Sequence, residues 1–266
     1  MRFLFIYVIC FISFFSGSGM ASTQRWSFDE DAIGNEFLLT FPRSGTNLIS
    51  CYLQALTGKP IHWIKQNDRR TSDNRIHVPI NYSKLVLWRD HGKHDLLIFN
   101  KNQNKLLFVL RNYKECISRH MASKEAITPE QLELAFLMKS DLVLQYINNI
   151  KMYDNWDPEN RLLINYEDLI SNPVSEMRKV LEFFDEPVRS HRLNSEFLAA
   201  ASKRALRSYQ AQHGSHSKGK DTLYHSKKLP NEVLLSVDSE IEASWPDLWE
   251  KYLMRYQTIF KDKTLF

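Results

Sequence analysis

The chain has 266 residues, 43% of them hydrophobic and 25% charged, with a formal net charge of +4. That composition excludes a disordered or low-complexity chain, and the length suffices to bury an α/β core as one domain. The mild positive charge suits an anionic ligand without calling for nucleic acid, and the sequence shows no internal repeat.

Arg2 precedes an apolar run from Phe3 to Phe15, broken only by Ser13, and then the small residues Ser16-Gly17-Ser18-Gly19. One positive charge, a short apolar core and small residues have the layout of a secretory signal peptide, and an uncleaved membrane anchor shares it. Either reading of residues 1–21 places the chain in the secretory pathway or at a membrane. Translation starting at Met20 places it in the cytoplasm instead. The sequon Asn81-Tyr82-Ser83 does not discriminate between them. Of the three cysteines, Cys10 falls in the apolar run, while Cys51 and Cys116 fall on predicted helices and read as core thiols.

Glu36-Phe37-Leu38-Leu39-Thr40-Phe41 reads as a short apolar strand that turns at Pro42 and continues into an apolar helix through Tyr52 and Leu56. The turn carries Arg43, Ser44, Gly45, Thr46 and Asn47. A helix N-terminus offers N–H groups and a positive dipole end to an anion. Gly45 allows close approach, and Ser44 and Thr46 add hydroxyls. This is a phosphate-binding loop without the first glycine and the Lys of the G-x-x-x-x-G-K-[ST] nucleotide loop.

The polar stretch from Lys65 to His77 reads as a loop over the active face. Leu85-Val86-Leu87-Trp88 reads as a buried parallel strand leading into Arg89-Asp90-His91-Gly92, where the carboxyl ends of strands collect ligands. His91 with His94 and Asp95 is a candidate metal set, but no further ligand is evident. Leu106 to Leu110 is another strand, ending at Arg111, and a helix containing Ser118 follows. Pro129 through Asn149 reads as one long amphipathic helix whose apolar face is explained by core packing. Arg161 to Asp168 reads as a strand, in which the neighbours Glu167 and Asp168 point to opposite faces and so form no acid/base pair. Asn172-Pro173 opens the next helix. Ala199 to Lys228 is strongly basic and reads as a solvated loop, with His213, His216 and His225 as loop residues. Leu229-Pro230-Asn231-Glu232 starts a terminal helix.

Four of these elements resemble the sulfotransferase family in its own order. Phe41-Pro42-Arg43-Ser44-Gly45-Thr46-Asn47-Leu48 is similar to the 5′-phosphosulfate loop [YF]-P-K-S-G-T-T-W, with Arg43 in place of Lys. Arg89-Asp90-His91 is similar to K-[TS]-H, whose His is the catalytic base. Arg111 to Ser118 resembles the 3′-phosphate segment V-x-R-[ND]-P-x-[DE]-x-x-x-S. Here Tyr113 replaces the proline and the interval from Arg to Ser is one residue short, about 100° of helix. Tyr166-Glu167-Asp168-Leu169 matches a family hallmark.

The resemblance implies a single α/β domain over residues 36–260, with a mostly parallel sheet flanked by helices and a P-loop-like phosphosulfate-binding loop. It implies transfer of a sulfuryl group from 3′-phosphoadenosine 5′-phosphosulfate, without a metal, to a hydroxyl- or amine-bearing acceptor. His91 would be the base, Arg43 would neutralise the leaving phosphate and Arg89 would steady the sulfuryl oxygens. Ser44, Gly45, Thr46, Asn47, Arg111 and Ser118 would hold the donor's phosphates, with Tyr166 against its adenine. Ser202 and the partial match Ser217-Lys218-Gly219, which lacks the family's leading Arg, would add contacts near the nucleotide. Arg43 leans toward protein-tyrosine or bacterial relatives and His91 toward cytosolic small-molecule enzymes. The family's dimerisation motif is not apparent. A P-loop kinase and a non-catalytic nucleotide-binding protein are the competing readings.

Overall fold

The computed structural model describes residues 36–59, 61–63, 87–92, 96, 103–122, 128–213 and 229–258. Among the described residues, five strands form one sheet: β1 (Glu36–Thr40), β2 (Ile61–Trp63), β3 (Leu87–Asp90), β4 (Lys105–Leu110) and β5 (Arg161–Asn165). Their order is β2-β3-β1-β4-β5, and every pairing is parallel. Phe37, Leu38 and Leu39 are all fully buried, as an unbroken apolar run requires when helices cover both faces.

Alternation along β1 sorts the core into two layers. Phe37 and Leu39 join the layer built with α2 (Tyr113–Ala122), α3 (Pro129–Leu137), α4 (Asp141–Asp154) and α8 (Asn231–Ser244). Leu38 joins the opposite layer, with α1 (Thr46–Thr57), α5 (Tyr166–Ser171), α6 (Pro173–Phe183) and α7 (Ser195–His213). Because β3 and β4 flank β1 on opposite sides, the carboxyl end of β1 is a topological switch point, where open parallel sheets seat their ligands.

The amino end of β1 is closed by charge. Lys59 Nζ lies 2.6 Å from Glu36 and 3.0 Å from Glu186, all three side chains nearly buried. Burial pushes the Glu36 carboxyl above its ordinary range, and Lys59 opposes that shift.

The elements depart from the sequence-based expectations at four places. The edge strand β2 is only three residues long, too short to show a periodicity. The expected single helix from Pro129 to Asn149 is two helices, because Lys139 takes a left-handed conformation (φ 47°) and Ser140 starts α4. A capping box between Thr128 and Gln131 begins α3. The basic stretch expected as a loop is helical from Ala199 to His213, as part of α7. The strand expected through Asp168 ends at Asn165, so Glu167 and Asp168 lie on the short helix α5. The leader, the sequon and the Lys65–His77 stretch lie outside the described residues.

Candidate active site

The turn after β1 is held by its own atoms. Ser44 N donates to Phe41 O at 3.0 Å, and Phe41 N donates to Ser44 Oγ at 3.1 Å. Arg43 adopts φ 71° and Gly45 φ 105°. A left-handed Arg is a strained position, of the kind retained where a loop must present backbone N–H groups to a ligand. The first α1 bonds run from Leu48 N and Ile49 N to Gly45 O, so the N–H groups of Gly45, Thr46 and Asn47 precede the helical ladder. Arg43 and Asn47 are exposed, and Ser44 and Thr46 are buried.

Arg111, at the end of β4, reaches the same turn. It is buried, its NH1 donates to Arg43 O at 2.8 Å, and its guanidinium lies 4.1 Å from the centroid of the Tyr166 ring. Tyr166 begins α5 directly after β5, and its ring also covers Gly45, where any Cβ would overlap it. The carboxyl ends of β1, β4 and β5 therefore meet as a cation stacked on an aromatic ring beside an anion loop. Tyr146 OH donates to Arg111 O at 2.6 Å, and burial raises the Tyr146 hydroxyl well above its ordinary range, so it remains a neutral donor. Glu167 and Asp168 have separate partners. Glu167 accepts from Asn112 N at 3.2 Å and Tyr256 OH at 3.1 Å, and Asp168 pairs with Arg255.

His91 follows β3 and meets the end of β1. Its Nδ1 lies 2.8 Å from Thr40 Oγ1 and 3.2 Å from Thr40 O. Thr46 Oγ1 donates to Thr40 Oγ1 at 3.0 Å, so one threonine joins the anion loop to the histidine. Helix α4 supports this junction. Gln145 Nε2 donates to His91 O at 2.5 Å and Asn149 Nδ2 to Thr40 O at 3.2 Å. Asn149 also packs against Gly92, which has φ 74° and no room for a Cβ. Arg89 lies inside β3, wholly buried and in register with Leu38, rather than in the loop beyond the strand.

Sequence reasoning missed Thr40, Gln145 and Asn149. The apolar stripe of α4 accounts for its packing, and nothing in a single sequence marks two amides one turn apart as facing a strand end. Burial of Asn149 at 0% exposure is the structural sign.

A family profile described as "Sulfotransferase domain" matches residues 35–233, well over half of the chain. The chain belongs to the sulfotransferase family. Several solved structures share its fold. Mouse sulfotransferase SULT7A1 complexed with PAP is 15% identical, with a TM-score of 0.59 over 88% of this chain and 92% of that one. Retinol dehydratase in complex with androsterone and the inactive cofactor PAP is 9% identical, with a TM-score of 0.56 over 80% and 81%. The sulfotransferase domain of the Synechococcus PCC 7002 olefin synthase is 14% identical, with a TM-score of 0.51 over 82% and 98%. No curated protein sequence matches the chain. Sulfuryl transfer is the reaction class of the family, and this chain is a transferase of that class.

Within this sulfotransferase, the segment after Arg111 is anchored to the helical layer. Tyr113, at the proline position, is buried against Phe136 and Trp249 and bonds Asp238 through its hydroxyl. Lys114 Nζ contacts the same carboxylate at 2.5 Å and Tyr256 O at 2.6 Å, tying α2 to α8 and to the end of the described chain. Burial lowers the Lys114 pKa, and Asp238 opposes that shift. Ser118 is buried on α2, and its hydroxyl donates to Lys114 O at 2.5 Å. Ser202, half-buried on α7, bonds the Tyr52 hydroxyl, whose pKa burial raises. Cys51 and Cys116 are buried free thiols, as expected, and burial pushes Cys116 up to about 12. His94, Asp95, Ser217, Lys218 and Gly219 lie outside the described residues.

Proposed function

We propose that this sulfotransferase uses 3′-phosphoadenosine 5′-phosphosulfate as donor, and that His91 takes the proton of a hydroxyl- or amine-bearing acceptor. The observation that carries this reading is the junction at the switch point, where Thr40 links the anion loop to His91 while Arg111 and Tyr166 close the other side. A buried guanidinium on an aromatic face, next to a loop with free-running N–H groups, fits an adenosine bisphosphate, since Arg binds phosphate in a fork and a ring face accepts a base.

A donor bound there would supply the sulfuryl group, its S–O bond to phosphate breaking as the acceptor O–S or N–S bond forms, and His91 would take the acceptor's proton. The loop N–H groups and Arg43 would meet the charge that grows on the departing phosphate, which electrostatic catalysis requires. Arg111 would hold the donor through its 3′-phosphate, and Ser118 would join it only by releasing its bond to Lys114 O. An imidazole is suited to accept the proton near neutral pH. The retinol dehydratase complexes with androsterone and with retinol favour an alcohol as acceptor.

Calorimetry on the full chain, with 3′-phosphoadenosine 5′-phosphate beside ATP and Mg²⁺, tests the donor. The bisphosphate is expected to bind, and Arg111→Ala to weaken it about 10- to 100-fold, the worth of a charge-assisted contact. Binding of Mg²⁺–ATP without the bisphosphate would overturn the reading in favour of a kinase. With an acceptor in hand, His91→Ala should lower kcat by about 10²- to 10⁴-fold. Unchanged turnover would remove the base assignment.

A further inference from the structure

A neutral imidazole carries one proton on two nitrogens, and it is a base only at the nitrogen without the proton. The surroundings of His91 Nδ1 decide which nitrogen that is. Thr40 O, 3.2 Å away, is a carbonyl oxygen and can only accept. Thr40 Oγ1, 2.8 Å away, has one proton and two lone pairs. Its proton goes to Asp90 O at 3.3 Å, a second carbonyl that can only accept, and one lone pair takes the proton of Thr46 Oγ1 at 3.0 Å. What remains toward His91 is a lone pair.

All three capacities of this buried hydroxyl are filled only if Nδ1 donates. The opposite tautomer would draw the Thr40 proton away from Asp90 O and set an Nδ1 lone pair against the Thr40 carbonyl. In the interior, an unmatched contact of that kind is costly.

We infer that Thr40 is a positioning residue that holds neutral His91 as the Nδ1–H tautomer, leaving the basic lone pair on Nε2. This rests on the reading of His91 as the base and deepens it, although the proton placement stands on geometry alone.

The backbone on both sides of this contact is itself held in place. Asn149 Nδ2 occupies the Thr40 carbonyl from α4 at 3.2 Å, and Gln145 Nε2 holds the His91 backbone at 2.5 Å. Asn149 is fully buried and packs on Gly92, so two amides four residues apart on one helix hold the end of β1 and the His91–Gly92 backbone. Thr46 brings the anion loop into the same arrangement. The Nδ1 side of the histidine thus faces a hydroxyl and a carbonyl that helix α4 and the anion loop hold in place.

The test is a long-range ¹H–¹⁵N spectrum of the full chain labelled at histidine, with His91→Gln to assign the signals. Thr40→Val and Thr40→Ser are the informative variants. At a pH where His91 is neutral, the wild type and Thr40→Ser should show a protonated Nδ1 and an unprotonated Nε2. Thr40→Val, which keeps the branched shape and loses the hydroxyl, should show admixture of the Nε2–H form. Once an acceptor alcohol is in hand, its kcat should fall about tenfold with the donor KM unchanged, the scale of one lost hydrogen bond.

A wild-type spectrum with Nε2 protonated would overturn the inference before any variant is made, so the conclusion does not depend on Thr40→Val folding. A Val variant with the wild-type spectrum would also overturn it, by showing that the hydroxyl is not what sets the tautomer. Failure to bind the bisphosphate with Nδ1 still protonated would count against the donor reading alone.

Discussion

At its amino end β1 buries Glu36, and charge is met by charge: Lys59 bridges it to Glu186. At its carboxyl end, four residues on, Thr40 is also buried, but its partners are a hydroxyl, a backbone carbonyl, an imidazole and an amide. The two ends meet their buried polar groups by different means. At the amino end the one cation is spent on two carboxylates, whereas a hydrogen-bonded network holds groups in place and, in the function proposed above, leaves the loop's N–H groups and Arg43 to act on an anion. The same strand therefore ends in a stabilising device on one side and in a site on the other.

The comparison breaks most sharply at Lys59. Lys59→Met would leave two buried carboxylates facing each other, at a cost of about 3–5 kcal/mol. Glu36 already titrates above its ordinary range because of burial, and without Lys59 the upward shift should grow. A raised carboxylate pKa favours the folded state while the group is protonated and disfavours it as pH rises through the folded pKa. Urea unfolding should therefore show a larger loss at pH 7 than at pH 4. The variant that remains folded should bind the bisphosphate as the wild type does. A large change in that affinity would mean that the two ends are not separable.

Gly45→Ala is the matching lesion at the carboxyl end. The residue has φ 105°, and a Cβ would overlap the Tyr166 ring. Strain at such a position costs about 1–3 kcal/mol. The ring must also shift, which disturbs the Arg111 stack, so bisphosphate binding should be lost along with part of the stability. Calorimetry beside urea unfolding separates the two effects. Retained affinity would show that the Tyr166 platform is not part of the donor site.

Much of this contrast was legible in the sequence because it rests on local chemistry. A short apolar run, Pro42, then Arg43 to Thr46 before a helix specify a strand, a turn and an anion loop within a dozen residues. Arg111 and His91 were legible as strand-end residues on the same grounds. The supporting groups were not. Gln145 and Asn149 meet Thr40 and His91 only through the packing of α4 on the sheet, and an amide on a helix reads as solvent-facing until tertiary structure buries it. The break between α3 and α4 was hidden for a related reason. Lys139 takes a left-handed conformation without being glycine, and periodicity carries across three residues. The Glu36–Lys59–Glu186 cluster joins positions far apart in the chain, so no spacing rule announces it.

A third way of meeting charge lies at the rim of the site, where Asp168 pairs with Arg255 at 3.0 Å, both about two-fifths exposed. The hydrogen bond from Arg255 holds the Asp168 carboxyl below its ordinary value of 3.8. Such a group adds stability above its unfolded pKa, and that stability is lost as pH falls through the lower folded pKa. Solvent screening discounts the pair to about 0.5 kcal/mol, or about 1–2 °C in Tm. Asp168→Asn should therefore melt slightly earlier than the wild type at pH 7, with the gap closing only below about pH 4. Added salt should narrow the gap at pH 7 as well, because an exposed pair is screened and the Lys59 cluster is not. Bisphosphate affinity should not change, since Glu167, the neighbour that touches the site, has its own partners in Asn112 and Tyr256. A gap as large as that of Lys59→Met, insensitive to salt, would show that the rim pair belongs with the buried ion cluster rather than with the surface.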